Sequence, residues 1–148
     1  MDERPLPLSG IRVLEFGTGY VGPVLAMRLA DFGADVVKVE SHRGLDFMRG
    51  QAPAQYERSP SFFDANRNKR SILVDGSTER GHALLLDLAR HTDVVVENFG
   101  AGVLRRLGVD YPSLREVNPT LVMISLQGLG GSAPRSLTLG QNLPPLIG

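Results

Sequence analysis

The sequence predicts an α/β fold built on an open, mostly parallel sheet with flanking helices. Two observations carry the prediction. Strand-like and helix-like segments alternate along the chain, as successive strand–helix–strand units do. The strand segments are also nearly continuous apolar runs: IRVLEF at 11–16, DVVKVE at 35–40, DVVVE at 93–97 and LVMISL at 121–126. Runs of that kind, unlike alternating ones, belong to strands covered on both faces, the situation in a parallel sheet.

Between the first two strands, Val24, Leu25, Met27, Leu29, Ala30 and Phe32 mark a helix, with Pro23 suited to its first turn and Gly33 to its end. From Ser41 to Lys69 the periodicity breaks, and Gly44, Gly50, Pro53 and Pro60 punctuate what is expected to be one long loop. A short strand is expected at 71–75. Ser77 or Thr78 then starts a helix running to His91, whose buried side is Leu84, Leu85, Leu88 and Ala89. After the strand at 93–97, Asn98-Phe99-Gly100 makes a turn. Val103 to Leu107 forms a short helix stopped by Gly108, and Pro112 opens another that ends before Asn118-Pro119. Gly128, Gly130 and Gly131 follow the last strand as a flexible turn.

Composition narrows the function. At 148 residues the chain has the length of one domain, and its 42% hydrophobic content suits a globular core. Sixteen basic residues balance sixteen acidic ones, which argues against a nucleic-acid or anionic-membrane partner. There is no cysteine, so disulfides, thiolate metal sites and a cysteine nucleophile are excluded, in keeping with a cytoplasmic protein. No apolar run reaches the roughly 18 residues of a membrane span, and MDERPLPLSG lacks the pattern of a signal peptide. The apolar, proline-containing stretch GQNLPPLIG at the end leads us to expect the N-terminal portion of something longer.

Ligands of such sheets bind beyond the carboxyl ends of the strands, so the turns at 17–23, 40–44, 97–100 and 127–132 are where chemistry is expected. Gly17, Gly19 and Gly22 fit the spacing of a dinucleotide-binding turn, with Glu40 placed 18 residues later, where such folds hold a ribose hydroxyl. Against this, glycine is tolerated in many strand-to-helix turns, and Pro23 removes an N–H donor from the supposed phosphate cradle. Asn66 to Arg70 offers two amides with Arg67, Lys69 and Arg70, either an anion grip or a solvated loop end. Glu97, Asn98 and Phe99, with Arg105 and Arg106 beyond, offer a ligand-contacting set, unless Glu97 only pairs with an arginine. His82 and His91 lie among polar helix neighbours, and His42 sits in a loop after a strand end. No histidine pair has metal-ligand spacing, no serine sits in a nucleophile elbow, and no carboxylate pair is marked for acid–base work. The residues alone thus support a site for an anionic or nucleotide-like ligand, without a nucleophile.

Five blocks, LSGIRVLEFG…GP, LADFGADVVKVE, FFDANRNKRSILVD, DVVVENFGAGVLRRLGVDY and VNPTLVMISLQGLG, resemble in order the amino-terminal part of the class III coenzyme A transferases, the CaiB/BaiF family. Formyl-CoA transferase, carnitine CoA-transferase and α-methylacyl-CoA racemase are members, and the likeness covers about residues 8 to 135. The resemblance implies a Rossmann-like large domain joined to a small one, interlocked homodimers, and coenzyme A, bound as acyl-CoA, as the only cofactor, with no metal. It also implies transfer of CoA from an acyl-CoA to a carboxylic acid through a covalent aspartate, by way of a mixed anhydride and then an aspartyl thioester.

That aspartate is expected beyond Gly148, so residues 1–148 would be the CoA-binding part of the large domain, with no catalytic residue of their own. Carried over by position, CoA-binding residues are Lys69, Arg70, Asn98, Phe99 and Arg106; Thr18, Gly19 and Tyr20 line the acyl side. Tyr20 stands where formyl-CoA transferase has a glutamine, which weighs against formyl or oxalyl chemistry. Thr138-Leu139-Gly140 stands where many members read Gly-Tyr-Asp or Gly-His-Asp, which weighs against a racemase. The rival readings are a nonenzymatic nucleotide- or protein-binding partner, an acyl-CoA racemase and an NAD-binding domain. A separate C-terminal chain is the alternative to the homodimer.

Overall fold

A computed structural model describes residues 5–50 and 58–127 of the chain. Five strands form one sheet: β1 (Arg12–Phe16), β2 (Asp35–Glu40), β3 (Lys69–Leu73), β4 (Val94–Glu97) and β5 (Val122–Ser125). Their order is β3-β2-β1-β4-β5 and every pairing is parallel. The chain therefore runs outward from β1 through β2 to β3, then crosses back to β4 on the other side of β1. The crevice above β1 and β4, where the winding reverses, is the place such sheets offer a ligand.

Helix α1 (Val21–Asp31) packs on one face, with Ala26 and Ala30 against Val13, Val36 and Val96. Helices α3 (Glu79–Arg90), α4 (Val103–Arg106) and α5 (Tyr111–Val117) supply the other core, where Leu85, Ala89, Leu104 and Leu114 meet Leu14, Phe16, Val39 and Val95. Period-two alternation assigns the faces: Val13 and Glu15 point toward α1, Leu14 and Phe16 toward α3. By the same count Val36, Lys38 and Glu40 point toward α1.

Three expectations are corrected. The segment 41–69 is not one long irregular loop, for its described part holds a single 3₁₀ turn (Phe47–Arg49) and helix α2 (Pro60–Asn66). Pro60 is not a breaker there but occupies the first helical turn, while the Ser59 hydroxyl accepts from the Phe62 N–H at 3.3 Å. Second, β3 begins at Lys69 rather than at residue 71, which puts Lys69 and Arg70 inside a strand. Third, Leu84 lies on the exposed side of α3, whose buried residues are Gly81, Leu85 and Ala89. Residues 51–57, the glycine turn at 128–131 and Thr138-Leu139-Gly140 lie outside the described residues. Among the described residues, no helix is long and apolar enough to cross a membrane.

Helix α3 is capped by Thr78, whose hydroxyl accepts from the Gly81 N–H at 3.0 Å, with Glu79 in its first turn. We expect Thr78→Ala to lower stability by about 1 kcal/mol, read as a shift of the urea midpoint at unchanged slope.

Candidate functional site

A cavity of about 370 Å³ opens at the carboxyl ends of β1 to β4. Its wall is largely apolar, with Phe16, Val39, Val74, Leu85, Phe99 and Leu107 turned to it from the α3 face. Polar groups come from the strand ends and the loops after them: Thr18, Glu40, Ser41, Arg43, Asp46, Asp75 and Ser77. Arg43 Nε lies 3.2 Å from Asp75 Oδ2. Hydrogen bonds from the Ser77 hydroxyl and amide, with the charges of Arg43 and His42, hold the Asp75 carboxyl below its usual range. An apolar slot with a few convergent polar groups suits a mixed ligand better than an ion.

The turn from β1 into α1 borders this cavity and is tied down on three sides. Asn98 clasps Thr18, its Oδ1 accepting from the Thr18 N–H at 2.9 Å and its Nδ2 donating to the Thr18 carbonyl at 2.8 Å. Lys38 Nζ donates to the Gly17 carbonyl at 2.7 Å, and the Gly19 N–H donates to Asp46 Oδ1 at 2.9 Å. Gly22 is needed because a Cβ there would stand 2.7 Å from Asn98 Oδ1. The spacing that suggested a dinucleotide therefore serves close packing of the protein on itself.

Beneath the turn lies a buried charge cluster. Lys38 pairs with Glu15 at 3.1 Å and with Asp46 at 3.0 Å; Lys69 pairs with the other oxygen of Glu15 at 2.8 Å. The side chains of Lys38, Glu15, Lys69 and Asp46 are all 0–2% exposed. Asp46 Oδ2 approaches Lys38 as an ion pair yet makes no hydrogen bond, its contact being close enough in distance but off the hydrogen-bond direction. Lys69 also donates to the Pro23 carbonyl and to Asn66 Oδ1. Burial pushes the Lys69 ammonium down to about 8, Glu15 opposing and Lys38 adding to the shift. Beside the cluster, Arg49 grips Glu40 through Nε at 2.8 Å and Nη2 at 2.6 Å and stacks on Phe62, 3.7 Å from its ring centre. Burial raises the Glu40 pKa, but the Arg49 and Asp46 hydrogen bonds and the nearby cations outweigh it, so the carboxyl sits below its usual range.

The structure brings Thr18, Gly19, Asn98 and Phe99 together at the cavity and the adjoining turn, with Tyr20 exposed beside them. Arg106 is exposed, next in sequence to the cavity residue Leu107. Lys69 and Arg70 lie at the amino end of β3, away from the cavity; Lys69 is held in the charge cluster and Arg70 pairs with Asp35. Glu97 accepts from the Phe99 N–H at 2.9 Å, so its carboxylate shapes the turn after β4. His82 is half-buried with Nε2 3.2 Å from the Gly108 carbonyl, and His91 ends α3. Sequence reasoning missed Glu15, Lys38 and Asp46, and the 74–77 wall of the cavity. Among the described residues, no group of His, Asp and Glu is arranged to hold a metal.

A family model described as CoA-transferase family III matches residues 8–143. Over 141 residues the chain is 44% identical to the succinate–glutarate CoA-transferase of Agrobacterium fabrum, covering 90% of this chain and 35% of that protein. Among solved structures, a CAIB/BAIF family protein from Brucella suis superposes with a TM-score of 0.73 at 42% identity, over 82% of this chain and 33% of that one. A hypothetical protein from Mycobacterium tuberculosis gives 0.80 at 34% identity, over 92% and 38%. The chain thus spans about a third of the length of the proteins it matches.

Two outcomes are expected from the charge cluster. Lys69 holds its proton less tightly when folded than at its ordinary value of 10.5, so between pH 8 and 10.5 the unfolded chain binds more protons and stability rises with pH. Urea midpoints measured across that window should climb in the wild type, a rise missing from Lys69→Met. Removing one partner of a buried pair leaves a charge uncompensated, so Lys38→Met should cost about 3–5 kcal/mol, visible as a large drop in thermal midpoint.

Proposed function

The chain belongs to CoA-transferase family III, and from that membership we propose that it is the amino-terminal, CoA-holding portion of a longer protein. That protein moves CoA from an acyl-CoA to a carboxylic acid. The observation that carries the reading is the family match across residues 8–143. The 44% identity to a succinate–glutarate CoA-transferase makes dicarboxylic acids of four or five carbons the first substrates to test.

The cavity supports the reading. Its apolar wall of Phe16, Val39, Leu85 and Phe99 fits the adenine of CoA, and Arg43, the one cation lining it among the described residues, fits a phosphate, as does exposed Arg106, next in sequence to the lining residue Leu107. Thr18, Gly19 and Tyr20 then face the acyl end. Lys69 and Arg70, implied CoA contacts by position, are assigned instead the ion pairs their neighbours support. The nucleophilic aspartate comes from sequence outside this chain. In this proposal the complete protein works in the cytoplasm, as a homodimer or with a separate chain supplying the remainder.

The complete protein, given succinyl-CoA and glutarate, should form glutaryl-CoA and free succinate, followed by liquid chromatography of the thioesters. A folded protein that exchanges CoA between no acyl-CoA and carboxylate offered would overturn the proposal. The 148-residue chain alone should show no turnover; turnover by it would place the nucleophile inside it. Phe99→Ala should weaken CoA binding about tenfold, or about 1.4 kcal/mol, by calorimetric titration, and tight NADH binding without CoA binding would point to the dinucleotide reading.

A further inference from the structure

We propose that Asp46 is the positioning residue of the acyl-side turn: it locks Gly19 in a left-handed conformation and thereby sets the direction of Tyr20. The inference rests on the reading of Thr18–Tyr20 as the acyl side of a CoA site.

Gly19 has φ +73°, a region that glycine leaves as readily as it enters, so the turn needs an external hold to keep one shape. Asp46 supplies it. The side chain is buried at 0% exposure, and one oxygen accepts from both the Gly19 N–H, at 2.9 Å, and the Met48 N–H, at 3.0 Å. The bond to Met48 caps the 3₁₀ turn Phe47–Arg49, so the same carboxylate fastens that turn onto the glycine turn. Phe47 closes the contact: a Cβ on Gly19 would stand 2.5 Å from its ring. Glu40 Oε1 in turn accepts from the Asp46 N–H at 3.0 Å, fixing the backbone from which the carboxylate reaches out.

The carboxylate does more than balance charge. Its second oxygen, the one buried side-chain nitrogen or oxygen among the described residues without a hydrogen bond, is paired with Lys38 at 3.0 Å and offsets its charge. That pair also gives alignment: Lys38 holds the second oxygen while donating to the Gly17 carbonyl, so the first oxygen is aimed at Gly19. Residue 17 is thus held by its carbonyl, residue 18 by Asn98 at both backbone groups, and residue 19 by its N–H. Tyr20, 59% exposed, is the first residue past these tethers, and its direction follows from theirs.

The test uses the complete protein with Asp46→Ala, Asp46→Asn and Asp46→Glu. Alanine removes the tether and should lower kcat about tenfold or more while leaving the Kd for CoA within about twofold. Asparagine retains an acceptor oxygen for the Gly19 and Met48 amides but turns its amide nitrogen toward Lys38, so it should recover part of the kcat that alanine loses. Glutamate keeps the charge but carries its oxygens one methylene farther, and should lower kcat like alanine; it decides the matter should the alanine variant not fold. In parallel, hydrogen–deuterium exchange of the peptide spanning 17–20 should quicken in the alanine and glutamate variants, and less in asparagine, with β4 peptides unchanged. The inference is overturned by wild-type exchange at 17–20 in a folded alanine or glutamate variant, or by kcat and CoA affinity falling together. A wild type that transfers no CoA would sink the functional proposal instead, while the exchange measurement would still decide the tether.

Discussion

The interaction on which the rest depends is the buried pairing of Glu15 with two lysines. Lys38 and Lys69 are the only lysines in the sequence, and both are enclosed at this one place. Each is tolerable there only because two carboxylates, Glu15 and Asp46, bring the cluster to zero net charge; a lone buried ammonium would lose several kcal/mol of hydration with no return. Neutrality by itself is not enough, since the gain from the pairs is large only at contact distance. The cluster therefore dictates geometry. Glu15 must stand on the α1 side of β1, Lys38 level with it on β2, and Lys69 at the start of β3 within reach of the Pro23 carbonyl in α1 and Asn66 in α2. A slip of any of these strands by one residue would turn a charge into the opposite core.

From there the constraint passes to the site. Lys38 does not end at its carboxylates but goes on to the Gly17 carbonyl, and Asp46 goes on to the Gly19 N–H. On the far side Asn98, leaving β4, meets the same turn at Thr18. The turn is thus held between β2's ion pairs and β4's amide, above the strand β1 that lies between those two in the sheet. The cavity takes its apolar wall from the α3 face and meets the charged side at Glu40 and Asp46; the ion pair that a phosphate there would have to share is Arg43–Asp75.

How much of this was legible follows from which signals are local. The strands were, because continuous apolar runs mark covered parallel strands, and so was the βαβ unit at the front of the chain. Helix α2 was not: seven residues with Phe62 and Ala65 as its buried pair carry too little periodicity, and Pro60 looks the same as a loop proline until Ser59 is seen capping it. Glu15 and Lys38 did leave a trace, as single charges inside otherwise apolar runs. Their meaning was hidden because their partners, Asp46 and Lys69, come from segments whose path over the sheet no local pattern records. Lys69 and Arg70 leave an anion grip and a solvated loop end equally open in the sequence for the same reason, since a cation's partner lies across strands, not along them.

The glycine spacing shows how one sequence pattern can arise from two physical demands. In a dinucleotide site, glycines clear space for a ligand's phosphates and an acid after the second strand waits for a ribose. Here the space beside Gly19 is taken by Phe47 and that beside Gly22 by Asn98. The acid is occupied too: Glu40 receives Arg49 at both oxygens, is held charged by it, and is nearly inaccessible. A ribose at that position would have to displace a guanidinium from a buried carboxylate, at a cost hydroxyl hydrogen bonds do not recover. The protein has filled with its own side chains the places a dinucleotide would use, and the open volume lies instead on the α3 side of the strand ends, between Phe16, Val39 and Phe99.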